Sequence, residues 1–232
     1  MNGDDVLNLL LQQKATAKFI TTKIYKFFVN ERTDAAIIEN LSMKFYNSNY
    51  NIKQLLTEIF TSDWFYSEKN IGTKIKSPIE LMVGIMRIVP MKIEKTQNLI
   101  VYQKLLGQML LYPPNVAGWP SGTSWIDSST LLLRMQIPQI WTGLRPLEVV
   151  AKSDDDLDMG MKPQQNLEKY FKNAQITVDW NFVEKHITNK NYMRILLVKP
   201  PSFSMDLIKK FTDNSPRMNI ISTMSTPDYQ LC

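Results

Sequence analysis

Apolar residues that recur three or four positions apart constrain the fold more than any other feature of this sequence. This spacing places them on one face of an α-helix. The pattern is clearest between residues 51 and 61 and also runs between residues 15 and 29. It predicts that one helix buries Ile52, Leu55, Leu56, Ile59 and Phe60, and that another buries Phe19, Ile20, Ile24, Phe27 and Phe28. Alternating apolar and polar residues, which are typical of strands, are nearly absent. We therefore predict an all-α fold, an irregular multi-helix globular bundle that carries one long loop rich in proline, glycine and tryptophan.

Local signals predict where several helices begin. Ser77, Pro78 and Glu80 have the pattern of a capping box, in which the Ser77 and Glu80 side chains each accept a hydrogen bond from the other residue's backbone N–H. Asn51 is placed to cap a second helix. Farther along, residues 176–178 are expected to be extended, and Asp179 is expected to cap the helix that follows.

Proline and glycine give the expected helix ends. An apolar run that starts near Leu99 is expected to continue as far as Pro113, with Gly107 inside it allowing close helix packing. Because proline lacks the N–H that a helix interior requires, we expect Pro138 to end the helix that contains Leu131, Leu132 and Met135.

Residues 146–163 interrupt the helical pattern with an acidic run between two prolines. We predict a main helical domain at residues 1–145, an acidic linker or loop at residues 146–163, and a C-terminal helical segment at residues 164–232 that packs on the first. The four aspartates of the acidic run raise the alternative of a calcium site. That run lacks the ligand spacing and the turn glycine of an EF-hand loop.

Residue counts exclude several kinds of site within this chain. Cys232 is the single cysteine and His186 the single histidine, so no intrachain disulfide and no metal cage of cysteines or several histidines can form. The apolar runs are too short to span a bilayer. The net charge of +5 is spread along the chain, which favours a solvated basic surface over nucleic-acid binding. We therefore expect no metal, no cofactor, no nucleic acid and no membrane span.

The longest motif is the stretch YPPNVAGWPSGTSWID at residues 112–127, which holds two of the five tryptophans. Its prolines fix the backbone angle φ, while Gly118 and Gly122 are able to adopt positive φ. Asp127 or Ser128 is placed to cap the next helix. These properties predict a compact loop with few accessible conformations.

Two interpretations of this loop remain open. In the first, Val116, Trp119 and Trp125 fold inward and close one end of the helical core, because a tryptophan buries roughly 200 Å². In the second, one or both indoles stay exposed on a rigid loop and offer a flat face to a sugar ring or to a partner's side chain. Asn115 and Asp127 then supply hydrogen bonds at the edge of that face.

Arg134 lies about two helical turns after Asp127, and a buried arginine normally requires an acidic partner. We expect a bidentate salt bridge from Arg134 to Asp127 or Glu80. The same two carboxylates are the pair to inspect for acid–base chemistry, although each has a simpler role at the end of a helix. No catalytic residue is assigned, and the candidate binding residues are Asn115, Trp119, Trp125, Asp127, Glu80 and Arg134.

Several motifs together resemble a known family. They are ATAKF at residues 15–19, KSPIE at residues 76–80, the loop with GQ at residues 107–108 before it and Arg134 after it, and the ending PDYQLC at residues 227–232. On these residues the chain is similar to the bacterial proteins called domain of unknown function 1800, in particular to the C-terminal half of a Bacteroidetes-type branch. Many members carry His-Pro where this chain has Gln13 and Lys14, and members are generally much longer.

The resemblance implies a bacterial protein, export to the periplasm or cell surface for many members, and no established activity. It also implies that the chain works beside an N-terminal half. We therefore predict a helical binding or assembly module whose partner is its own N-terminal half or another protein, with a glycan as a further alternative. The competing prediction is part of a carbohydrate- or ester-directed hydrolase with a site near residues 112–127. A hydrolase requires a cleft with converging, mutually unpaired polar groups, whereas an interaction module requires an exposed apolar patch.

Overall fold

The computed structural model describes residues 2–146, 176–201, 208 and 215–232. This part of the chain contains ten α-helices, several short 3₁₀ turns and one two-stranded sheet, which confirms the all-α prediction. None of the described helices is both long and apolar enough to cross a membrane. The chain divides into two compact units, Met1–Lys74 (unit 1) and Ile75–Cys232 (unit 2).

Unit 1 consists of four helices and a 3₁₀ turn. They are α1 (Gly3–Leu11), α2 (Lys14–Phe28), α3 (Ala35–Asn47), α4 (Ile52–Thr61) and the turn Asp63–Tyr66. Asn51 caps α4 as predicted, because its side chain accepts a hydrogen bond from the N–H of Gln54 at 3.0 Å. The helices enclose a core of Ala17, Tyr25, Val29, Ile38, Leu41, Phe45, Leu55 and Ile59.

Helix α2 turns a different stripe toward this core from the one predicted. Ala17, Thr21 and Tyr25, each four residues apart, are buried. The prediction was wrong for Phe19 and Phe27, which are each 61% exposed. The small side chains of Ala17 and Thr21 let α3 pack close to α2, so the phenylalanine rings lie on the opposite side of the helix.

Aromatic contacts at the end of α2 account for the rest of this difference. The Tyr25 ring stacks on Trp64 of the 3₁₀ turn, with centroids 5.9 Å apart. Phe28, which was also predicted to be buried, remains partly exposed and meets the edge of Phe60 at 5.4 Å. Such edge-to-face pairs stabilise rings that keep one side in water.

Unit 2 contains the remaining elements. They are α5 (Pro78–Ile88), β1 (Met91–Ile93), α6 (Gln97–Leu105), a 3₁₀ turn (Gly122–Trp125), α7 (Ser128–Trp141), β2 (Ile176–Val178), α8 (Trp180–His186), α9 (Tyr192–Leu196), α10 (Pro216–Met224) and a second 3₁₀ turn (Asp228–Gln230). Strands β1 and β2 pair antiparallel, with Met91 opposite Val178 and Ile93 opposite Ile176. The core lies mainly between α5, α7 and α10 and includes Leu81, Ile85, Ile137, Trp141, Ile220, Met224 and Tyr229.

The predicted helix starts of unit 2 are confirmed. Ser77 and Glu80 form a complete capping box, with Ser77 N–H donating to the Glu80 carboxylate at 2.7 Å and Glu80 N–H donating to the Ser77 hydroxyl at 3.2 Å. Asp179 caps α8 by accepting from the N–H of Phe182 at 3.0 Å. Each cap satisfies backbone donors that the first turn of a helix leaves without partners.

The predicted end of α7 at Pro138 was wrong, because the helix continues through this residue to Trp141. A proline removes one backbone hydrogen bond, whereas the buried face of α7, with Ile137 and Trp141, extends past it. Packing of that face outweighs the missing bond. Leu132 is exposed because it lies on the opposite side of α7 from this face.

The predicted course of α6 through Gly107 was also wrong. The helix ends at Leu105, and Gly107 has a positive φ of 82°. Gly107 N–H donates to Lys104 O at 3.1 Å, and Gln108 N–H donates to Gln103 O at 2.9 Å. These two bonds form a Schellman motif, which terminates helices at a left-handed glycine. Among the described residues, no atom lies within 4 Å of a Cβ added to Gly107, so this glycine does not serve close helix packing.

The predicted division into residues 1–145, 146–163 and 164–232 stays a prediction. The proposed linker, including the acidic run considered for calcium, lies outside the described residues apart from Pro146. The described elements on either side of it, α7 and α10, belong to the same core of unit 2. The boundary between the two compact units follows Lys74.

Candidate functional site

The two interpretations of the loop each describe part of it. Trp125 lies on the 3₁₀ turn Gly122–Trp125 and is only 6% exposed, as inward folding requires. Trp119 is half-buried. Val116, which was expected to fold inward with the indoles, is fully exposed. The C-terminal part of the loop therefore contributes to the interior, whereas its N-terminal part faces solvent.

Local hydrogen bonds define the backbone around Asn115. Its side-chain oxygen accepts from the N–H of Ala117 at 2.8 Å, and its carbonyl accepts from the N–H of Gly118 at 3.1 Å. Gly118 and Gly122 adopt φ values of 89° and 58°, which confirms the predicted use of left-handed glycines. Asn115 thus shapes the turn while remaining at the surface.

The start of the loop and the two residues before it expose a group of large apolar side chains, which we call the Leu111 surface. It consists of Leu110, Leu111, Tyr112 and Val116, of which Leu111 is 95% exposed. Leu111 also has a positive φ of 62°, a conformation that costs an L-residue other than glycine roughly 1–2 kcal/mol. The sequence did not reveal this surface, because the periodicity assigned Leu110 to a helix and no pattern predicts a left-handed leucine.

Asp127 is confirmed as the cap of α7. One of its carboxylate oxygens accepts from the N–H groups of Ser129 and Thr130 at 2.8 Å each and from the Ser129 hydroxyl at 2.7 Å. The backbone bond from Thr130, followed by the Ser129 hydroxyl, lowers the pKa of Asp127 to about 2. At neutral pH this group is therefore an ionised hydrogen-bond acceptor rather than a proton donor.

Arg134 lies at the centre of a second group of residues, which we call the Arg134 cluster and which comprises Lys76, Arg134, Tyr229 and Gln230. The Arg134 side chain has no exposed surface. Its Nε donates to the side-chain oxygen of Gln230 at 3.1 Å, and one terminal nitrogen donates to the carbonyl of Lys76. The other terminal nitrogen is buried without a hydrogen-bond acceptor among the described residues.

The expected bidentate salt bridge of Arg134 was therefore wrong, since its hydrogen bonds go to neutral oxygens. Burial lowers the pKa of Arg134 to about 10, and the negative charge of Glu80 acts in the opposite direction. The Glu80 carboxylate caps α5 and influences the guanidinium through its charge. Asp127 is occupied in its own cap and contributes no hydrogen bond to Arg134.

Lys76 ties the C-terminal turn to the start of α5. Its N–H donates to Gln230 O at 2.8 Å, and its ammonium donates to Tyr229 O at 2.6 Å while lying 3.7 Å from the centre of the Tyr229 ring. Burial lowers the pKa of Lys76, and the positive charge of Arg134 adds to this effect, whereas the acidic group of Cys232 opposes it. The Tyr229 hydroxyl is buried without a partner among the described residues, and burial raises its pKa.

Sequence reasoning missed the residues that join these segments. Lys76 and Gln230 belong to motifs in which the sequence predicts no role for them, and it predicts no role for Gln108 either. In the structure, the side-chain oxygen of Gln108 accepts from the N–H of Ile79 at 3.0 Å, so it satisfies the first turn of α5. One signal in the sequence could have pointed to them. All three lie in short motifs (KSPIE, GQ and PDYQLC) and belong to no predicted apolar face of a helix.

The candidate residues thus divide by what they do in the fold. Trp125 and Arg134 are buried, Asp127 and Glu80 cap helices, and Asn115 and Trp119 retain accessible surface on the loop. Within residues 2–146, 176–201, 208 and 215–232, no three histidine, cysteine, aspartate or glutamate side chains form a group suited to a metal ion.

Comparison with known proteins gives a family over nearly the whole chain. The family model described as "Protein of unknown function (DUF1800)" matches residues 1–231. Searches of curated proteins and of solved structures found no match.

Proposed function

Since the chain belongs to the DUF1800 family, whose description assigns no activity, we propose from the site itself that it is a helical module that binds another protein through the Leu111 surface. The observation that carries this proposal is Leu111, which combines near-complete exposure with a left-handed backbone. Such strained positions cluster where a protein binds or acts.

The energetics of Leu111 support a role outside folding. Its side chain gains almost no burial within the chain, and its backbone conformation costs roughly 1–2 kcal/mol. Glycine would adopt the same backbone without that cost. A leucine at this position is therefore unfavourable for the isolated chain and becomes favourable once a partner buries it.

The size of the surface is suitable for a protein contact. The four side chains of the Leu111 surface together expose on the order of 400–500 Å². This area is within the range in which exposed apolar patches are often functional. Tyr112 adds a hydroxyl to an otherwise apolar group, and tyrosine is enriched at protein interfaces. An apolar group of this size matches the core of a small specific interface.

The partner that we propose first is the N-terminal half that the resemblance associates with longer family members. A region that continues in the same polypeptide meets the surface at high effective concentration, so a modest apolar contact suffices. In this arrangement Asn115 and Trp119 border the contact, and Trp125, Asp127, Glu80 and Arg134 keep the loop and its supporting helices in place.

A binding experiment with three variants tests the proposal. The 232-residue chain is titrated by calorimetry with the separately produced N-terminal half of a longer DUF1800 protein. Leu111→Asp and Tyr112→Ala are expected to weaken binding at least about tenfold, as central interface residues do. Leu144→Asp is the matched control, because Leu144 is also an exposed leucine of unit 2 but lies beyond the loop.

Three results would contradict the proposal. The first is the absence of binding at concentrations of about 100 µM, well above the dissociation constant of an ordinary protein contact. The second is equal binding by Leu111→Asp, Leu144→Asp and the unmodified chain. Binding to a panel of glycans that is lost in Trp119→Ala would favour a carbohydrate ligand instead and would also overturn the protein-binding proposal.

A further inference from the structure

Two exposed apolar surfaces in unit 1 have opposite charge. Helix α1 has no buried residue, and Val6, Leu7, Leu9, Leu10 and Leu11 are between 43% and 59% exposed. Its charged residues are Asp4 and Asp5, and it contains no lysine or arginine. This helix is therefore both apolar and acidic.

Helix α2 presents the complementary surface. Its solvent face carries four exposed side chains at helical spacing, those of Phe19, Lys23, Lys26 and Phe27. The helix contains four lysines and no acidic residue. The Lys23 ammonium lies over the Phe19 ring, 4.7 Å from its centre. An outward face with two exposed phenylalanines departs from the polar face expected of a surface helix.

We propose that α1 of one copy of this chain packs antiparallel on the Phe19–Phe27 stripe of α2 in a second copy, and that the reciprocal contact forms at the same time. This is a symmetric dimer in which the same two surfaces of each copy are used. The proposal does not depend on the Leu111 surface, which lies in unit 2.

Lengths and charges favour this pairing and its direction. The nine residues of α1 span about 13 Å, and the distance from Phe19 to Phe27 along α2 is about 12 Å. In the antiparallel direction, Asp4 and Asp5 at the start of α1 lie beside Lys23 and Lys26 in the second half of α2. The helix dipoles are then also opposed, which is the favourable arrangement.

The attachment of α1 leaves its apolar face available. The hydroxyl of Tyr50 donates to Leu11 O at 2.7 Å, that of Tyr46 donates to Gln12 O at 3.1 Å, and that of Thr16 donates to Leu10 O at 2.7 Å. These bonds hold the C-terminal end of the helix. The exposed leucine and valine side chains take no part in them.

The area is sufficient for a reversible dimer. With roughly 200 Å² for a whole phenylalanine and about 150 Å² for a leucine or valine, the exposed fractions correspond to on the order of 600 Å² of apolar surface per copy. A symmetric pair therefore buries up to about 1,200 Å², the lower limit of the standard range for specific interfaces. We expect a dissociation constant in the micromolar range.

Sedimentation equilibrium of the full chain between about 1 and 100 µM tests the dimer. The unmodified protein is expected to show a concentration-dependent change from monomer to dimer. The double variant Phe19→Ala/Phe27→Ala and the double variant Leu7→Asp/Leu10→Asp are each expected to raise the dissociation constant at least about tenfold. Met43→Ala, which removes an exposed apolar side chain of α3, is the control and is expected to change it less than about twofold.

Charge reversal provides a test that loss of folding cannot imitate. Asp4 is suitable because the capping box of α1 uses Asn2 and Asp5. Asp4→Lys and Lys23→Glu/Lys26→Glu are each expected to weaken the dimer about three- to tenfold. The combination of all three changes is expected to bind more tightly than either parent, since the attraction is restored with reversed signs. Circular dichroism checks that the helix content is unchanged.

Several outcomes would overturn the proposal. They are a monomer at every concentration, a dimer that neither apolar double variant weakens, and a combined charge variant no tighter than its parents. Leu111→Asp is expected to leave the dimer intact, and a dimer lost in that variant would also contradict the assignment to α1 and α2. Failure of this dimer and failure of the Leu111 surface to bind its partner are therefore distinguishable.

Discussion

Replacement of Arg134 by alanine is expected to destabilise unit 2 by about 3 kcal/mol, in the range of large core substitutions. Arg134 joins three segments that are distant in the sequence, because it lies on α7 and donates to Lys76 before α5 and to Gln230 near the C-terminus. Its side chain is completely buried. Loss of this side chain therefore leaves two acceptors without their donor and opens a cavity.

The magnitude follows from three contributions. Two acceptors left without a donor cost about 1–3 kcal/mol each, and the cavity left by a large side chain costs about 2–5 kcal/mol. Against this, the fall of the Arg134 pKa from 12.5 to about 10 corresponds to a cost of about 3 kcal/mol for burying the cation. That cost is present at neutral pH, is relieved only as the pH rises above about 10, and disappears in the variant. The net destabilisation is thus about 3 kcal/mol, toward the lower end of the summed range.

Arg134→Met separates the cavity from the hydrogen bonds. Methionine fills much of the same space without a charge, so the cavity contribution is small and the expected loss is about 1 kcal/mol. Urea unfolding followed by tryptophan fluorescence measures both free energies of unfolding, because four of the five tryptophans lie in unit 2. Arg87→Ala on the exposed side of α5 is the control, with an expected change below about 0.5 kcal/mol. If Arg134→Ala changed stability as little as Arg87→Ala, the structural role of the cluster would be refuted.

Four further substitutions test the loop and its flanks. Leu111→Gly is expected to raise the free energy of unfolding by up to about 1 kcal/mol, and destabilisation in urea unfolding would contradict the strain assigned to this leucine. Asp127→Ala is expected to cost about 1 kcal/mol at pH 7. Because hydrogen bonds lower the pKa of Asp127 to about 2, its contribution is present above the ordinary aspartate pKa of 3.8 and is lost as the pH falls toward 2. A pH series of unfolding curves should therefore show the two proteins converging in acid. Trp125→Ala is expected to cost about 3–5 kcal/mol and Trp119→Ala clearly less, and equal melting temperatures for both variants would exclude the burial difference.

Helix starts could be predicted well from the sequence, because a cap is a local interaction. The patterns at Asn51, Ser77, Asp127 and Asp179 involve atoms within three residues of each other, and all four form as expected. The buried face of a helix depends on its neighbours instead. For α2, the apolar pattern included the rings of Phe19 and Phe27, whereas the stripe that packs against α3 includes the small residues Ala17 and Thr21. No local signal distinguishes the two stripes.

The partners of Arg134 could not be predicted for a different reason. The expectation of a carboxylate rested on charge, which is visible in a sequence, whereas a backbone carbonyl and a glutamine amide carry no such signal. Every residue has a carbonyl, so the acceptor at Lys76 becomes identifiable only when the chain brings residues 76 and 134 together. A buried guanidinium needs hydrogen-bond acceptors but does not require that they be ionised. Neutral acceptors, which the sequence does not reveal, are therefore sufficient for Arg134.

The ends of the loop are fixed by interactions that do not involve its exposed apolar side chains. On the N-terminal side, the Schellman motif at Gly107 ends α6, and the side chain of Gln103 accepts from the N–H of Leu110 at 2.9 Å. On the C-terminal side, the capping box of Asp127 starts α7. The side chains of Leu111 and Tyr112 are therefore free to change without removing either anchor. For this reason, loss of binding in Leu111→Asp with an unchanged urea midpoint would be evidence about the binding surface itself, rather than about the stability of the helices that present it.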